Sequence, residues 1–381
     1  MSDAATLLRD LAQISRFAGP DVLLVQGGGG NTSVKSADLR RMWIKASGIR
    51  LADVDETSGH LAVDLPSMLA IVRDPGLSLL PRAAAHEESI RRTQAAAIDA
   101  RGFRPSLETG FHALLGRVVL HTHPVYVNAF GCMEAGAESF AEVFGGFSGW
   151  VDYAAPGHEL CLRVDQNIQT VRHNYHHDPV GIVLANHGLI ASGNTPTDVA
   201  ELTRRFTDAG EKFFGPLPSR ATEQVEPSAV AATWAGRLET SLHASGWRGV
   251  ARAACYAPLQ SNDRLPTVGA IVPDDVVNGI ADIVETTANT DPSDCVSVMP
   301  GADRRIAFVR GIGFVLAGPN EKAVAGMEEN LLANVLIQEL IARRGQVRVL
   351  PPVEVDYLRN MDSEKYRQAI AAGRAYKSEK N

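Results

Sequence analysis

Arg117-Val118-Val119-Leu120 is a short β-branched run that leads directly into His121-Thr122-His123, and Pro124 closes it. Along a strand, residues i and i+2 share a face, so the two imidazoles can address one metal ion. Branched residues favour the strand and proline ends it. The chain must therefore hold at least one strand that ends in a site. A catalytic metal needs one more ligand and an open coordination position.

At 381 residues the chain is long enough for two domains or one enlarged domain. Its 45% hydrophobic and 21% charged composition is that of an ordinary soluble globular protein. The net charge of −7 is spread along the sequence without a basic stripe, which argues against nucleic acid as a partner. The opening residues Met1-Ser2-Asp3-Ala4-Ala5 lack the basic and apolar regions of a signal peptide, and no apolar run approaches a membrane span. Cys132, Cys161, Cys255 and Cys295 are far apart and form no C-x-x-C pair, so they read as free thiols of a reducing cytoplasm. Histidine, not cysteine, has to account for any metal.

Residues 4–17 carry Leu7, Leu8, Leu11 and Ile14 at helical spacing. Val22-Leu23-Leu24-Val25 reads as a strand running into Gly27-Gly28-Gly29-Gly30-Asn31-Thr32-Ser33, whose amides can form an anion-binding concavity. This run is neither a Walker A loop nor a G-x-G-x-x-G fingerprint, because another strand, Met42-Trp43-Ile44-Lys45, follows it. Strand and helix signals continue to Gly215. Near Asn194-Thr195-Pro196 a helix opens, with Thr195 or Asn194 as cap and Asp198 in its first turn. The reading is a domain over 1–215, a Pro- and Ser-rich linker over 216–230 and a smaller α/β domain over 231–381. In the latter, strands at Ala307-Phe308-Val309 and Phe314-Val315-Leu316 precede a helix from Pro319 or Asn320 to Arg344. Gly313-Phe314-Val315-Leu316-Ala317-Gly318 echoes Gly188-Leu189-Ile190-Ala191-Ser192-Gly193 at one offset, with Ile312 where His187 stands. If this is a duplication, the second copy has lost that ligand.

Eleven histidines compete for a role. His173, His176 and His177 lie in a polar stretch that reads as a solvated loop, and His60, His86, His158 and His243 read the same way. His187 differs, since it ends an apolar strand and Gly188 leaves room beside its ring. Spacing tests three H-x-H folds. A cupin needs a carboxylate where Val127 stands, a metallo-β-lactamase needs Asp and His at Val125 and Tyr126, and an amidohydrolase places the pair on its first strand. None fits. Upstream, Pro105-Ser106-Leu107-Glu108-Thr109-Gly110-Phe111-His112 has the look of a helix start capped by Ser106, with Glu108 and His112 one turn apart. A carboxylate from that helix could lie near a metal at the strand end.

Gly30-Asn31-x-Ser33, Ile44-Lys45-Ala46-Ser47-Gly48, Pro105-Ser106-x-Glu108-x-x-x-His112, His121-x-His123 and Leu184-Ala185-Asn186-His187-Gly188 resemble, in order and spacing, the class II aldolase/adducin family. They are most similar to the aldolase half of bacterial fusions with a short-chain dehydrogenase; the dehydrogenase half reads as absent. The resemblance implies a three-layer αβα domain with a mainly antiparallel central sheet, and a homo-oligomer, expected to be a tetramer. It implies that His121, His123 and His187 bind a divalent metal, usually Zn2+ with Mn2+ or another ion as alternatives. It implies Glu108 as catalytic acid/base, and Gly30, Asn31, Ser47, Gly48 and Ser106 as the phosphate-holding set. His112 matches a motif residue that supports the site. The implied reaction makes or breaks a carbon–carbon bond in a ketose or ketose 1-phosphate through a metal-stabilised enediolate, with which Glu108 can exchange a proton, helped if burial raises its pKa toward neutrality. Decarboxylation or epimerisation of a sugar acid or sugar phosphate is the alternative chemistry, and a non-catalytic adducin-like interaction protein the alternative class. The sequence departs from phosphate-binding members at Leu107, where a hydroxyl residue is usual. Lys35 and Lys45 read as exposed lysines or as substitutes for that lost donor. Tyr126 and Tyr153 are candidates for a tyrosine proton donor.

Overall fold

The structure is a computed structural model that describes residues 4–145, 148–260, 264–266, 269–299, 303–371, 373, 374 and 376. The chain divides into two compact units, Met1–Phe213 and Phe214–Asn381.

The first unit is built on eight strands: β1 Asn31–Lys35, β2 Arg41–Lys45, β3 His60–Asp64, β4 Ala97–Asp99, β5 Val118–Thr122, β6 Gly149–Val151, β7 Gly181–Leu184 and β8 Gly188–Gly193. They form one sheet in the order β4-β3-β2-β1-β5-β8-β7-β6. Every pairing is antiparallel except β6 with β7. Period-two alternation then sorts the side chains into two cores. On one face Val34, Val118, Leu120 and Ala191 pack with Leu7, Leu11 and Ile14 of helix Ala4–Ala18 and with Val199 of helix Pro196–Phe214. On the other face Val119, Ile182, Leu184 and Ile190 meet Phe111 and Leu114 of helix Thr109–Leu114 and Leu160, Val164 and Ile168 of helix His158–Tyr175. The same opposite side continues under β2 and β3, where Met42, Ile44, Leu61 and Val63 pack on helix Leu65–Val72. The result is a three-layer α/β domain with a mainly antiparallel sheet. Strand β5 lies inside it, flanked by β1 and β8, with His121 opposite Asn31 on one side and Ile190 on the other.

The second unit carries β9 Val250–Ala253, β10 Val284–Thr287, β11 Arg305–Arg310 and β12 Gly313–Gly318, in the order β10-β11-β12-β9. Helix Ala229–Ala244 starts at Ser228, whose Oγ accepts from the Ala231 amide, and helix Glu321–Ala342 starts at Asn320, whose Oδ1 accepts from Ala323. Among the described residues no helix is long and apolar enough to cross a membrane.

Three local expectations change. Val22 to Val25 is not a strand: Asp21 accepts the amides of Leu23, Leu24 and Val25 and winds the segment into turns. Its carbonyls are used instead at the end of β5, where Leu24 O accepts from His123 N and Leu23 O from Val125 N. The polar stretch around His173 is the last turn of helix His158–Tyr175, closed by His176 in the left-handed conformation. The helix expected from Ser106 begins at Thr109, because Ser106 Oγ is taken by the Glu108 amide and Ser106 O by Thr109. The helix at Pro196 starts as expected, with Thr195 and Asp198 bonding to each other's amides.

Candidate metal centre

His121 and Val119 share a face of β5, the face covered by helix Thr109–Leu114, and His123 follows two residues past His121. The third imidazole comes from the β7–β8 hairpin. Its turn places Asn186 at φ 51° and lets His187 N return to Leu184 O at 3.1 Å. Asn128 Nδ2 donates to His187 O at 3.2 Å, and Asn186 N to Gly131 O at 2.9 Å, which ties the turn to helix Val125–Gly131. The next residue must be glycine. A Cβ on Gly188 would lie 2.4 Å from Thr122 O, 2.9 Å from His123 Cδ2 and 3.0 Å from His121 Cε1.

The three rings converge with centroids 5.0 Å apart for His121–His123 and His121–His187, and 5.5 Å for His123–His187. One nitrogen from each lies within 4.8 Å of the others, and all three residues are buried. His121 Nδ1 is held by Leu189 O at 3.0 Å, which makes Nδ1 the protonated nitrogen and leaves the Nε2 lone pair for a ligand. Nε2 of His121 is also 3.2 Å from Nε2 of His123. Glu108, the residue just before helix Thr109–Leu114, sets Oε1 3.1 Å from His187 Nε2 and 3.6 Å from His121 Nε2. Three imidazoles with a carboxylate beside them form a donor set that suits a divalent ion such as zinc. Burial, aided by the neighbouring rings, pushes the His121 imidazole down to about 3, so it is unprotonated at neutral pH. Burial also acts to raise the Glu108 carboxyl, but the three imidazoles outweigh it and hold the group well below the usual carboxylate range.

The other motif residues gather around this cluster. An antiparallel bridge pairs Ala46 with Pro105, and Ser47 N donates to Arg104 O at 3.0 Å, so the segments that carry Ser47 and Ser106 run side by side. Asn31 is fixed by its register opposite His121. Gly30 takes φ 65°, and a Cβ there would lie 2.8 Å from Val25 Cγ2 and 2.9 Å from the His121 carbonyl, so this position has to be glycine. Leu107 is half-buried. His112 is fully buried, accepts or donates at Ser33 Oγ over 2.9 Å and stacks on Phe111 at 4.9 Å, whose edge meets His121 at 5.4 Å. Tyr126 backs onto Gly210 of helix Pro196–Phe214.

Five polar residues lie deeper than sequence pattern suggests. Lys45 is buried and directs Nζ to the carbonyls of Ile49 at 2.6 Å, Ala46 at 3.4 Å and Gly28 at 3.5 Å, so its charge is spent chiefly on the turn after β2. Lys35 is buried too, with Nζ on Gly116 O at 2.6 Å, and burial brings it down to about 7. His60 and His158 are buried rather than solvated. So is His86, whose ring lies 2.6 Å from the Cβ position of Gly157; only His243 and the 173–177 group lie at or near the surface. The four cysteines are free thiols, and burial raises Cys161 to about 12.

Comparison with known proteins places this geometry. Residues 9–210 match the family of the class II aldolase and adducin N-terminal domain. A Bacillus subtilis (strain 168) protein named uncharacterized oxidoreductase YuxG is 27% identical over 217 residues, covering 54% of this chain and 29% of its own length. The chain thus spans under a third of that relative. Among solved structures, the N-terminal class II aldolase domain of a conserved Thermoplasma acidophilum protein is 24% identical, with TM-score 0.46, covering 54% of this chain and 92% of the other. An L-fuculose 1-phosphate aldolase is 18% identical with TM-score 0.37, covering 57% and 92%. The family match spans more than half of the chain and contains every residue of the histidine and carboxylate cluster, and the protein belongs to the class II aldolase and adducin N-terminal domain family.

Proposed function

We propose that this protein is a zinc-dependent aldolase that cleaves or forms a carbon–carbon bond in a ketose or ketose 1-phosphate. The observation that carries the reading is the buried Glu108 carboxylate, 3.1 Å from His187 and 3.6 Å from His121 in a three-imidazole cluster. A divalent ion held by His121, His123 and His187 would supply Lewis-acid stabilisation of the negative charge that develops on a ketose oxygen when the adjacent carbon–carbon bond breaks.

The chain's own residues do the rest. Glu108, held ionised, is set to take a proton from the nucleophilic carbon in the synthetic direction and to return it after cleavage. Leu189 O keeps the His121 tautomer fixed during that exchange. Gly30, Asn31, Ser47, Gly48 and Ser106 form the polar end where a substrate phosphate or hydroxyl would bind, with half-buried Leu107 as its apolar wall. We assign the protein to the cytoplasm, where its four thiols stay reduced, and to carbohydrate metabolism as a homo-tetramer.

Metal analysis of the purified protein, coupled to a cleavage screen of ketoses and their 1-phosphates, tests this. The expected result is one zinc per chain and cleavage of at least one ketose. Stoichiometric zinc without any cleavage redirects the reading to decarboxylation or epimerisation. No bound metal after reconstitution overturns the enzyme reading. Sedimentation equilibrium checks the tetramer.

A further inference from the structure

We infer that residues 229–342 are a second copy of the stretch 109–214 in which the metal ligands have been exchanged for apolar packing and a carboxylate clamp. The copy is a packing module, and among the described residues the chain has a single metal site; this last point rests on the reading of the three histidines as ligands.

The sheets carry the argument. In the first unit β5, β8, β7 and β6 are neighbours in that order, and in the second β9, β12, β11 and β10 are. In both, the first two interfaces are antiparallel and the last is parallel. A helix precedes the first strand and a long helix follows the last, Pro196–Phe214 in one case and Glu321–Ala342 in the other. The hairpin registers agree at one constant offset, and the flanking strands are aligned through their partners in the hairpin. Leu184 faces Gly188 and Val309 faces Gly313. Gly149 faces Ile182 and Val284 faces Ala307, the partners of Ile190 and Val315 respectively. His121 faces Ile190, and Ala253 faces Val315. Even the hairpin turns correspond, with Asn186 at φ 51° and Gly311 at φ 78°. Hydrogen bonding alone does not impose the hairpin match, because a slip of one residue there would give a bonded ladder with its faces exchanged.

The correspondence places Ala253 at the position of His121, Cys255 at that of His123 and Ile312 at that of His187. Ala253 and Ile312 are buried in one apolar cluster with Trp234, Leu238 and Val315. Beyond the strand end the two units solve one problem differently. In the first, the amides of His123 and Val125 donate to Leu24 O and Leu23 O in the turns that follow Asp21. In the second, the amides of Cys255 and Tyr256 both donate to Oε1 of Glu328, the latter at 3.1 Å, while Oε2 is paired with Arg252 Nη2 at 2.6 Å. Glu328 is buried and projects from the long helix that follows β12. Ala257 N, at the position of Val125, still donates to a backbone carbonyl, Glu223 O, at 2.9 Å, so the Glu328 carboxylate takes over one of the two backbone acceptors and the other is kept.

Hydrogen exchange by mass spectrometry on the full chain, metal-free and zinc-loaded, with bound metal measured in parallel, tests the proposal. Loading is expected to protect 118–125 and 184–190, to leave 250–257 and 309–315 unmoved, and to stop at one equivalent. Glu328→Ala is expected to speed exchange at Cys255 and Tyr256 at least tenfold with metal content unchanged, whereas Glu328→Gln, which keeps an acceptor oxygen, retains most of the protection. If Glu328→Ala does not fold, exchange in Glu328→Gln against wild type decides. Zinc-dependent protection at 250–257, a further equivalent of zinc that survives joint His121→Ala and His123→Ala substitution, or unchanged exchange in Glu328→Ala overturns the proposal. A chain that takes up no metal would refute the aldolase reading but leave the Glu328 experiment able to decide the clamp.

Discussion

Gly188 occupies a position where any side chain would meet the Thr122 carbonyl at 2.4 Å and both strand histidines within 3.0 Å. Backbone cannot yield there without moving β8 away from β5, so Gly188→Ala is expected to cost about 1–3 kcal/mol of stability and to weaken zinc binding by tenfold or more. Denaturant midpoints and a competitive zinc titration check the two effects. Glu108 is a different case, because its replacement by Gln keeps size and shape beside His187. Glu108→Gln should retain zinc near one equivalent while the rate of carbon–carbon bond cleavage falls by roughly a hundredfold or more. An equal loss of metal and rate would make Glu108 a structural ligand instead of a proton carrier.

At the scale of elements, the site depends on a loop held by a lysine. Lys45 at the end of β2 donates to Ile49 O and Ala46 O in the turn that follows its own strand and reaches Gly28 O of the glycine run at 3.5 Å. Lys45→Met keeps the apolar stem and strips the donors, which should cost about 1–3 kcal/mol in urea unfolding. The sequence made β5 and its histidines readable because strand period and ligand spacing are local properties. It made the His187 hairpin readable for the same reason, since an apolar strand ends at a histidine followed by glycine. What it hid were properties created by distant partners. Val22 to Val25 has strand composition, but Asp21 draws its amides into turns whose carbonyls serve β5, and nothing within the segment announces that demand. Likewise His60, His86, His158, Lys35 and Lys45 sit in polar sequence yet are buried by segments remote in the chain.

At the scale of the whole molecule, the two units carry buried titratable groups of opposite sense. In the first, burial lowers His60, His86 and His158, His86 to about 4. Such groups bind protons more tightly when unfolded, so their contribution is complete above an unfolded pKa near 6.5 and is lost as pH falls through about 4. For His86 this is about 3 kcal/mol at most. In the second unit, burial raises Asp275 to about 7, against hydrogen bonds from Ile271 N, Val272 N and Asn334. Its folded form holds the proton more tightly, so its contribution is present below an unfolded pKa near 3.9 and is lost as pH rises through about 7. Between pH 4.5 and 6.5, roughly, raising the pH should therefore slow opening of the first unit and speed opening of the second. Hydrogen exchange resolved by unit reads both slopes, and His86→Leu should flatten the first while leaving the second unchanged.

The place of β5 in its sheet also bears on how the protein matures. Its partner β1 ends at Lys35, long before it in the chain, but its other partner β8 begins only at Gly188. A nascent chain that has emerged as far as His123 has one edge of β5 paired and the other bare, with two imidazoles waiting at its end. The segment that covers the bare edge brings His187 on the residue before it, so capture of the ion and closure of the sheet become one kinetic event. Refolding in the presence of zinc should then accelerate the step that buries β8, while zinc added after folding should bind slowly, at the rate at which that edge reopens.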